Sequence, residues 1–231
     1  MITALRREAG LLLGSQLDVA RIIHLDSQVC VYVCGVGQQR ADRAARALLD
    51  AGCEALVSFG TAGGLQQDLH AGALVIPERV LDEDGRSFSV DSAWRWRLLE
   101  VLENPGPAQF AQVLVSVAQP VLSCEEKSTL ADVTGACAVD MESAAVAHLS
   151  DLNKIPFLVV RAVSDDHRQS LPAGLMPVLD AYGEPRTSAL LKALFLHPGI
   201  IQQLPGLIRG FGAAERALTD VVSRAGLRFS I

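Results

Sequence analysis

The chain has 231 residues, half of them hydrophobic, and a formal net charge of −6. That is ample for one buried core, while an acidic balance with few aromatics lacks the basic footprint of a nucleic-acid binder, so the expected partner is a small molecule. Nowhere do about 18 uncharged apolar residues run together, and the N-terminus shows no basic head followed by an apolar export stretch; the expected location is the cytoplasm.

Val29 to Cys34 is an uninterrupted apolar run, as a strand covered on both faces requires, and Gly35-Val36-Gly37 ends it. A helix is predicted over Gln38 to Ala51, with Ala41, Ala44, Ala45, Leu48 and Leu49 on one face and Gly52 as its stop. The pattern then repeats. Ala55 to Phe59 predicts a second strand, broken by a turn at Gly60-Thr61-Ala62-Gly63-Gly64, and Ala73 to Ile76 predicts a third, halted at Pro77. Further strands are predicted at Ala111 to Val117, Ala136 to Val139 and Phe157 to Ala162, with helices at Glu125 to Val133, Ser143 to Leu152 and from Ala189 onward. Strands alternating with helices predict an α/β fold: a single domain over 1–231 with a central twisted mixed β-sheet flanked by helices. From about Leu175 to the end the segment reads as helical and apolar, interrupted at Pro198-Gly199 and Pro205-Gly206. Its apolar residues face either the core and a neighbouring subunit or a greasy substrate.

The five cysteines lie in apolar stretches and are too few for a disulfide framework, so they read as buried thiols acting as small hydrophobes. The five histidines show no metal-ligand spacing, and no metal is expected; His167 and Arg168 are placed to influence Asp165.

Four stretches carry candidate chemistry. Gly35-Val36-Gly37 suggests a dinucleotide turn, but the third glycine of that fingerprint would fall at Arg40 and no acid follows at the needed distance, so no nicotinamide or flavin is expected. The Gly60 to Gly64 turn would expose consecutive backbone N–H groups around the Thr61 hydroxyl, a nest for an anion or a polarised water. Val139-Asp140-Met141-Glu142-Ser143 ends a strand in two carboxylates; Asp140 reads as a helix cap and Glu142 as an acceptor for a vicinal diol. Arg161-Ala162-Val163-Ser164-Asp165-Asp166 delivers a serine and two acids to the carboxyl edge of a strand, where ligands of open α/β sheets gather; Asp166 reads as a solvated turn residue.

With the N-terminal Ala4-Leu5-Arg6-Arg7-Glu8-Ala9, the last three of these stretches make the chain resemble the purine and uridine phosphorylase superfamily, and within it the nucleosidases acting on methylthioadenosine and S-adenosylhomocysteine. The resemblance implies a mixed sheet partly closed as a barrel, and cleavage of the bond between a purine and a ribose. It assigns Asp165 as the acid protonating purine N7, Glu142 and Met141 to the ribose, and Thr61, Ala62, Gly63 and Ser164 to the surround of the nucleophile and base. A general acid is worth roughly 10²- to 10⁴-fold, and the role asks that Asp165 be desolvated so that its proton is retained.

Water and phosphate both remain open as nucleophile. Hexameric phosphorylases carry an arginine where this chain has Ser58, and Glu8 matches the residue with which the hydrolases orient water; Arg6, Arg7 and Arg40 keep the phosphate route available, with phosphate then a co-substrate and otherwise no cofactor. The base-binding loop departs from the usual pattern and leaves Pro120 and Val121 as candidate contacts. That loop and the C-terminal segment resemble the hopanoid-associated branch, which removes adenine from adenosylhopane. Such a substrate implies an apolar mouth, for which Leu190, Leu191, Leu194, Phe195, Ile200, Ile201, Leu204, Leu207 and Ile208 are candidates, and a membrane-surface location peripheral to the inner membrane. Family likeness also implies a homodimer or higher homo-oligomer.

Overall fold

The structure, a computed structural model, describes residues 1–13, 18–103, 112–172, 178–184 and 200–229. In chain order its elements are β1 (Ile2–Thr3), α1 (Arg6–Leu13), β2 (Ile22–His24), β3 (Cys30–Val33), α2 (Gln38–Asp50), β4 (Leu56–Gly64), β5 (Leu74–Val75), β6 (Arg79–Leu81), β7 (Ser87–Ser89), α3 (Ser92–Val101), β8 (Val113–Ser116), α4 (Cys124–Thr134), β9 (Ala138–Asp140), α5 (Ser143–Asn153), β10 (Phe157–Asp165) and α6 (Ile200–Ala225). The strands form one mixed sheet, as the alternating pattern predicts.

Strands β4 and β10 are its spine. They run parallel, pairing from Leu56 opposite Phe157 to Gly63 opposite Asp165. Their side chains alternate between two apolar layers. Leu56, Val159 and Val163 pack with Ala41, Ala44, Ala45, Leu48, Val146 and Leu149 of α2 and α5. Val57, Phe59, Leu158, Val160 and Ala162 pack with Trp94, Leu98, Ala214, Leu218 and Val221 of α3 and α6. A strand covered on both faces has no solvated side, which is why β4 and β10 are mostly apolar and their few polar residues, Ser58, Arg161 and Asp165 among them, are buried.

Opposite β10, the other edge of β4 is shared: β1 pairs at Ser58, whereas antiparallel β9 pairs at Gly63 and Gly64. The sheet therefore forks between Ser58 and Gly63. On the β10 side the register slips between Val163 and Asp165, leaving Ser164 as a bulge. A bulge bends a strand and re-aims the side chains beside it, and here those are Ser164 and Asp165.

Several expectations change. The Gly60 to Gly64 run is not a turn but the second half of β4; pairing with β10, about a hundred residues away in sequence, overrides the local turn preference of glycine. Its N–H groups are thus not a free nest. Pro205-Gly206 does not interrupt the C-terminal helix, because Pro205 sits near the N-terminal end of a 26-residue helix whose packing on the sheet outweighs one lost hydrogen bond. Of the cysteines only Cys34 and Cys137 are buried; Cys30, Cys53 and Cys124 stand at element ends or in turns and are half-buried. Ala111, Leu175 and the stretch from Ala189 to Gly199 lie outside the described residues.

Candidate functional site

The fork in β4 is filled by a side chain. In the first turn of α1, Glu8 is buried, and its Oε1 accepts from Thr61 N at 2.8 Å and Thr61 Oγ1 at 3.0 Å. Its Oε2 accepts from Thr3 Oγ1 at 2.8 Å, Leu5 N at 3.0 Å and Ala4 N at 3.2 Å. Glu8 thus caps its own helix with one oxygen and the sheet with the other. The backbone N–H of Thr61, left between β1 and β9, donates to a carboxylate instead of a strand.

Gly60 has to be glycine. A Cβ there would lie 2.6 Å from Glu8 Oε1 and 2.5 Å from Arg161 Nη1. Arg161, fully buried on β10, is the cation at the centre of this half of the site. It pairs with Asp140 Oδ2 at 2.6 Å and Glu142 Oε2 at 3.5 Å, and donates to Ser58 Oγ at 2.9 Å and Ser143 Oγ at 3.2 Å. Asp140 also caps α5 through the N–H of Ser143 at 3.2 Å and accepts from the hydroxyls of Ser116 and Ser143. Asp140 thus holds the first N–H of α5 from two residues before the N-cap position, which is Glu142 and not the aspartate the sequence suggested, and it is an ion-pair partner as well.

Glu142, at the N-terminal boundary of α5, accepts from Gly37 N at 2.8 Å. Gly37 sits at φ 109°, a conformation that side chains resist, and it turns the chain between β3 and α2 toward this carboxylate. Burial pushes the Glu142 carboxyl up to about 7 against the pull of Arg161, with Asp140 adding to the rise.

Asp165, at the bulge, is buried as its assigned role asks, but it is not alone. Its Oδ2 accepts from Lys127 Nζ at 2.6 Å and its Oδ1 from Ser164 Oγ at 2.7 Å. The Ser164 hydroxyl also lies 3.3 Å from the Ala62 carbonyl, and a Cβ on Gly63 would stand 3.2 Å from Asp165 Oδ2. Asp166 does not join the buried group; it is half-buried, with His70 at 4.0 Å. His167 accepts from Arg168 Nε at 3.2 Å, and no distance places either of them on Asp165.

Glu8, Glu142 and Asp165 thus meet along one short stretch of β4: Glu8 on Thr61, Glu142 through Arg161 on Gly60, and Asp165 on Gly63. Thr61, Gly63 and Met141 beside them keep partial exposure, whereas the three carboxylates are buried. Pro120 and Val121 are half-buried, and the segment they begin is tied beside the acid's loop by Leu171 N donating to the Leu122 carbonyl at 2.7 Å.

Of the arginines relevant to phosphate, Arg6, Arg7 and Arg161 are engaged and Arg40 is not buried. Arg7 pairs with Glu215 at 3.2 Å, Arg6 stacks over the Tyr182 ring at 5.8 Å, Arg40 is exposed on α2, and Arg161 is held by two carboxylates. Among the described residues no cluster of three His, Cys, Asp or Glu side chains is arranged to hold a metal.

Sequence reasoning missed Lys127 and Ser116, and named Arg161, Ser58 and Ser143 without the partners they have here. Arg161 carried a signal: an arginine inside an otherwise apolar buried strand must have partners. Lys127 carried none, because Glu125-Glu126-Lys127 reads as a solvated first turn.

A nucleosidase of Aeromonas salmonicida, 5′-methylthioadenosine/S-adenosylhomocysteine nucleosidase, is 26% identical to this chain, the match covering 69% of this chain and 78% of that one. In three dimensions the chain superposes on the Neisseria meningitidis enzyme of the same name, solved with methylthio-immucillin-A, with a TM-score of 0.69 at 19% identity, covering 100% and 97% of the two chains. It also superposes on futalosine hydrolase of Helicobacter pylori with a TM-score of 0.67 at 18% identity, covering 96% and 95%. The family profile of the phosphorylase superfamily matches residues 16–193, and the chain belongs to that superfamily.

Proposed function

We propose that the chain hydrolyses the N-glycosidic bond of an adenine nucleoside, with Asp165 protonating the base, Glu142 holding the ribose hydroxyls, and Glu8 with Thr61 orienting water. The observation that carries this reading is the convergence of three acids, distant in sequence, on Gly60 to Gly63. A sugar leaving its base becomes oxocarbenium-like, and carboxylates nearby stabilise that positive charge. The same carboxylates disfavour a phosphate dianion as nucleophile, which supports water over the phosphorylase alternative. The relatives named as nucleosidases support it from the side of the sequence.

The 5′ substituent is the finer question, and we propose an apolar one of the adenosylhopane kind. Support comes from α6 beside the acid's loop, where Gly206 lies against Gln169 and Ile208 is 67% exposed. Leu207 is not part of such a mouth, because it is buried in the core; Leu190, Leu191, Leu194 and Phe195 lie outside the described residues, as do the side chains of Ile200 and Ile201. Self-association as a dimer or larger oligomer, and contact with a membrane surface, extend the proposal on family likeness and on α6; among the described residues no helix is long and apolar enough to cross a membrane.

Incubation with a panel of 5′-substituted adenosines, with and without phosphate, tests the reading. The expected products are adenine and a free ribosyl sugar irrespective of phosphate, abolished in Asp165→Asn. Ribose 1-phosphate as product would overturn hydrolysis. Absence of base release from every substrate would leave a nucleoside-binding module instead.

A further inference from the structure

Lys127 is a buried cation for which the proposed reaction has so far no use. Its side chain has no exposed surface, and it stands in the first turn of α4, where the helix dipole disfavours positive charge. The helix is set by its own capping box, Ser123 with Glu126, and stopped at Gly135, so its ends do not depend on the lysine. All three ammonium protons are engaged, with Asp165 Oδ2 at 2.6 Å, the Asp166 carbonyl at 2.7 Å and the Gln169 carbonyl at 3.0 Å. Burial of an ammonium is tolerated only with such complete partnering, and an apolar residue would have served the helix at less cost.

The two oxygens of Asp165 are consequently unlike. Ser164 Oγ has two settings: it donates to an ionised Oδ1, or it turns to the Ala62 carbonyl and accepts from a protonated Oδ1. At Oδ2 no such exchange exists, since an ammonium only donates. A transferable proton therefore belongs on Oδ1.

We propose that Lys127 is the positioning residue of the proton donor: it fixes Asp165 Oδ2, confines the transferable proton to Oδ1, and supplies the counter-charge for the carboxylate left after transfer. This rests on the proposed role of Asp165 as the acid. In the step, the Oδ1–H bond breaks as N7–H forms, the electron pair of the C1′–N9 bond leaves with the base, and the ammonium keeps its three protons beside the new carboxylate. By binding the Asp166 and Gln169 carbonyls, the same group anchors the loop that follows the acid. Around this pair stand Asp166, 4.0 Å from exposed His70, then His167 against Arg168. On α4 are Glu125, Glu126, whose carboxylate turns back to Leu122 and Ser123, and the Cys124 thiol at Ser170. Lys127 is the cation that touches the Asp165 carboxylate.

The test is base release as a function of pH for the wild type, Lys127→Met and Lys127→Arg. In Lys127→Met kcat should fall roughly 10- to 100-fold, part of what a general acid contributes, with KM within about threefold. The pH–rate profile should move toward higher pH, because the variant no longer places an opposite charge at hydrogen-bond distance from the carboxylate. Lys127→Arg should keep the wild-type profile. Should the methionine variant not fold, Lys127→Gln, which keeps donors for the two carbonyls but drops the charge, carries the same expectation. An active wild type whose kcat or profile is indifferent to the charge at position 127 overturns the positioning role alone. A wild type that releases no base sinks the proposed function and this role with it.

Discussion

Replacing Gly210 of α6 with alanine sets two physical effects against each other. By helix propensity alone the change stabilises, by about 1 kcal/mol. The structure reverses the sign: a Cβ on Gly210 would lie 2.0 Å from the carbonyl oxygen of Ser164, the bulged residue of β10. Carbon and oxygen settle at about 3.3 Å or more, so helix and strand would have to part by over 1 Å, and neither backbone has a side-chain torsion with which to yield. Overpacking of this kind costs typically 1–3 kcal/mol. Contact between two backbones puts the cost at the upper end, leaving a net loss of about 2 kcal/mol and, for a chain of this size, a drop in Tm of roughly 4–8 °C. Gly212, two residues on, is the internal control. A Cβ there would meet only the end of Arg216 at 3.6 Å, and Gly212→Ala should raise Tm by roughly 2–4 °C. Thermal melts of both variants followed by circular dichroism read the comparison. Because the displaced carbonyl belongs to the residue that hydrogen-bonds Asp165, base release by Gly210→Ala should fall as well. A Gly210→Ala protein melting at or above the wild type would refute this account of how α6 seats on β10.

Two further predictions concern the buried charges. With the Glu142 carboxyl raised by burial to about 7, the stability it contributes is full below its ordinary value near 4.5 and is lost as pH rises to about 7, on the order of 3 kcal/mol. Urea denaturation across that window should therefore show a decline in the wild type that is absent in Glu142→Gln, and matched curves for the two proteins would contradict it. Arg161→Met strands Asp140 and Glu142 without their cation, a loss of roughly 3–5 kcal/mol; Asp140→Asn in the same protein should return part of it, and simple additivity of the two changes in urea midpoint would argue against the pairing.

How much of this was legible in the sequence depended on whether the information was local. The run 157–162 announces a strand buried on both faces, the run 29–34 a strand whose second face proves only half-buried, and the Ala and Leu positions of 38–51 announce the helix that packs beside them. Acids at strand ends, Glu142 and Asp165, could be read as candidates because position and chemistry agree. Glu8 was named through family likeness alone, since a glutamate in a helical first turn is otherwise a cap. The glycine run was misread because its conformation is fixed by β10, and the two-residue β1 is too short to show any periodicity. Nothing in Glu125-Glu126-Lys127 tells that the third charge points inward. A buried lysine becomes visible only when the loop after β10 and its carbonyls are in place.

The charge pattern of the assembled site argues for a division of labour that no single motif contains. Four buried carboxylates, Glu8, Asp140, Glu142 and Asp165, share two buried cations, and each cation is committed to a different end. Under the proposed function, Arg161 would lie under the sugar, where it holds Asp140 and Glu142 but leaves an excess of negative charge. Lys127, paired one to one with Asp165, would under the same proposal lie at the base. A reaction in which the sugar gains positive charge while the base gains a proton calls for this asymmetry. Excess anion at one end stabilises the oxocarbenium, whereas a balanced pair at the other lets the acid give up its proton without leaving a bare charge in the core. A phosphorylase would call for a surplus cation beside the sugar, and in this structure Arg161 is buried within the sheet and held by two acids.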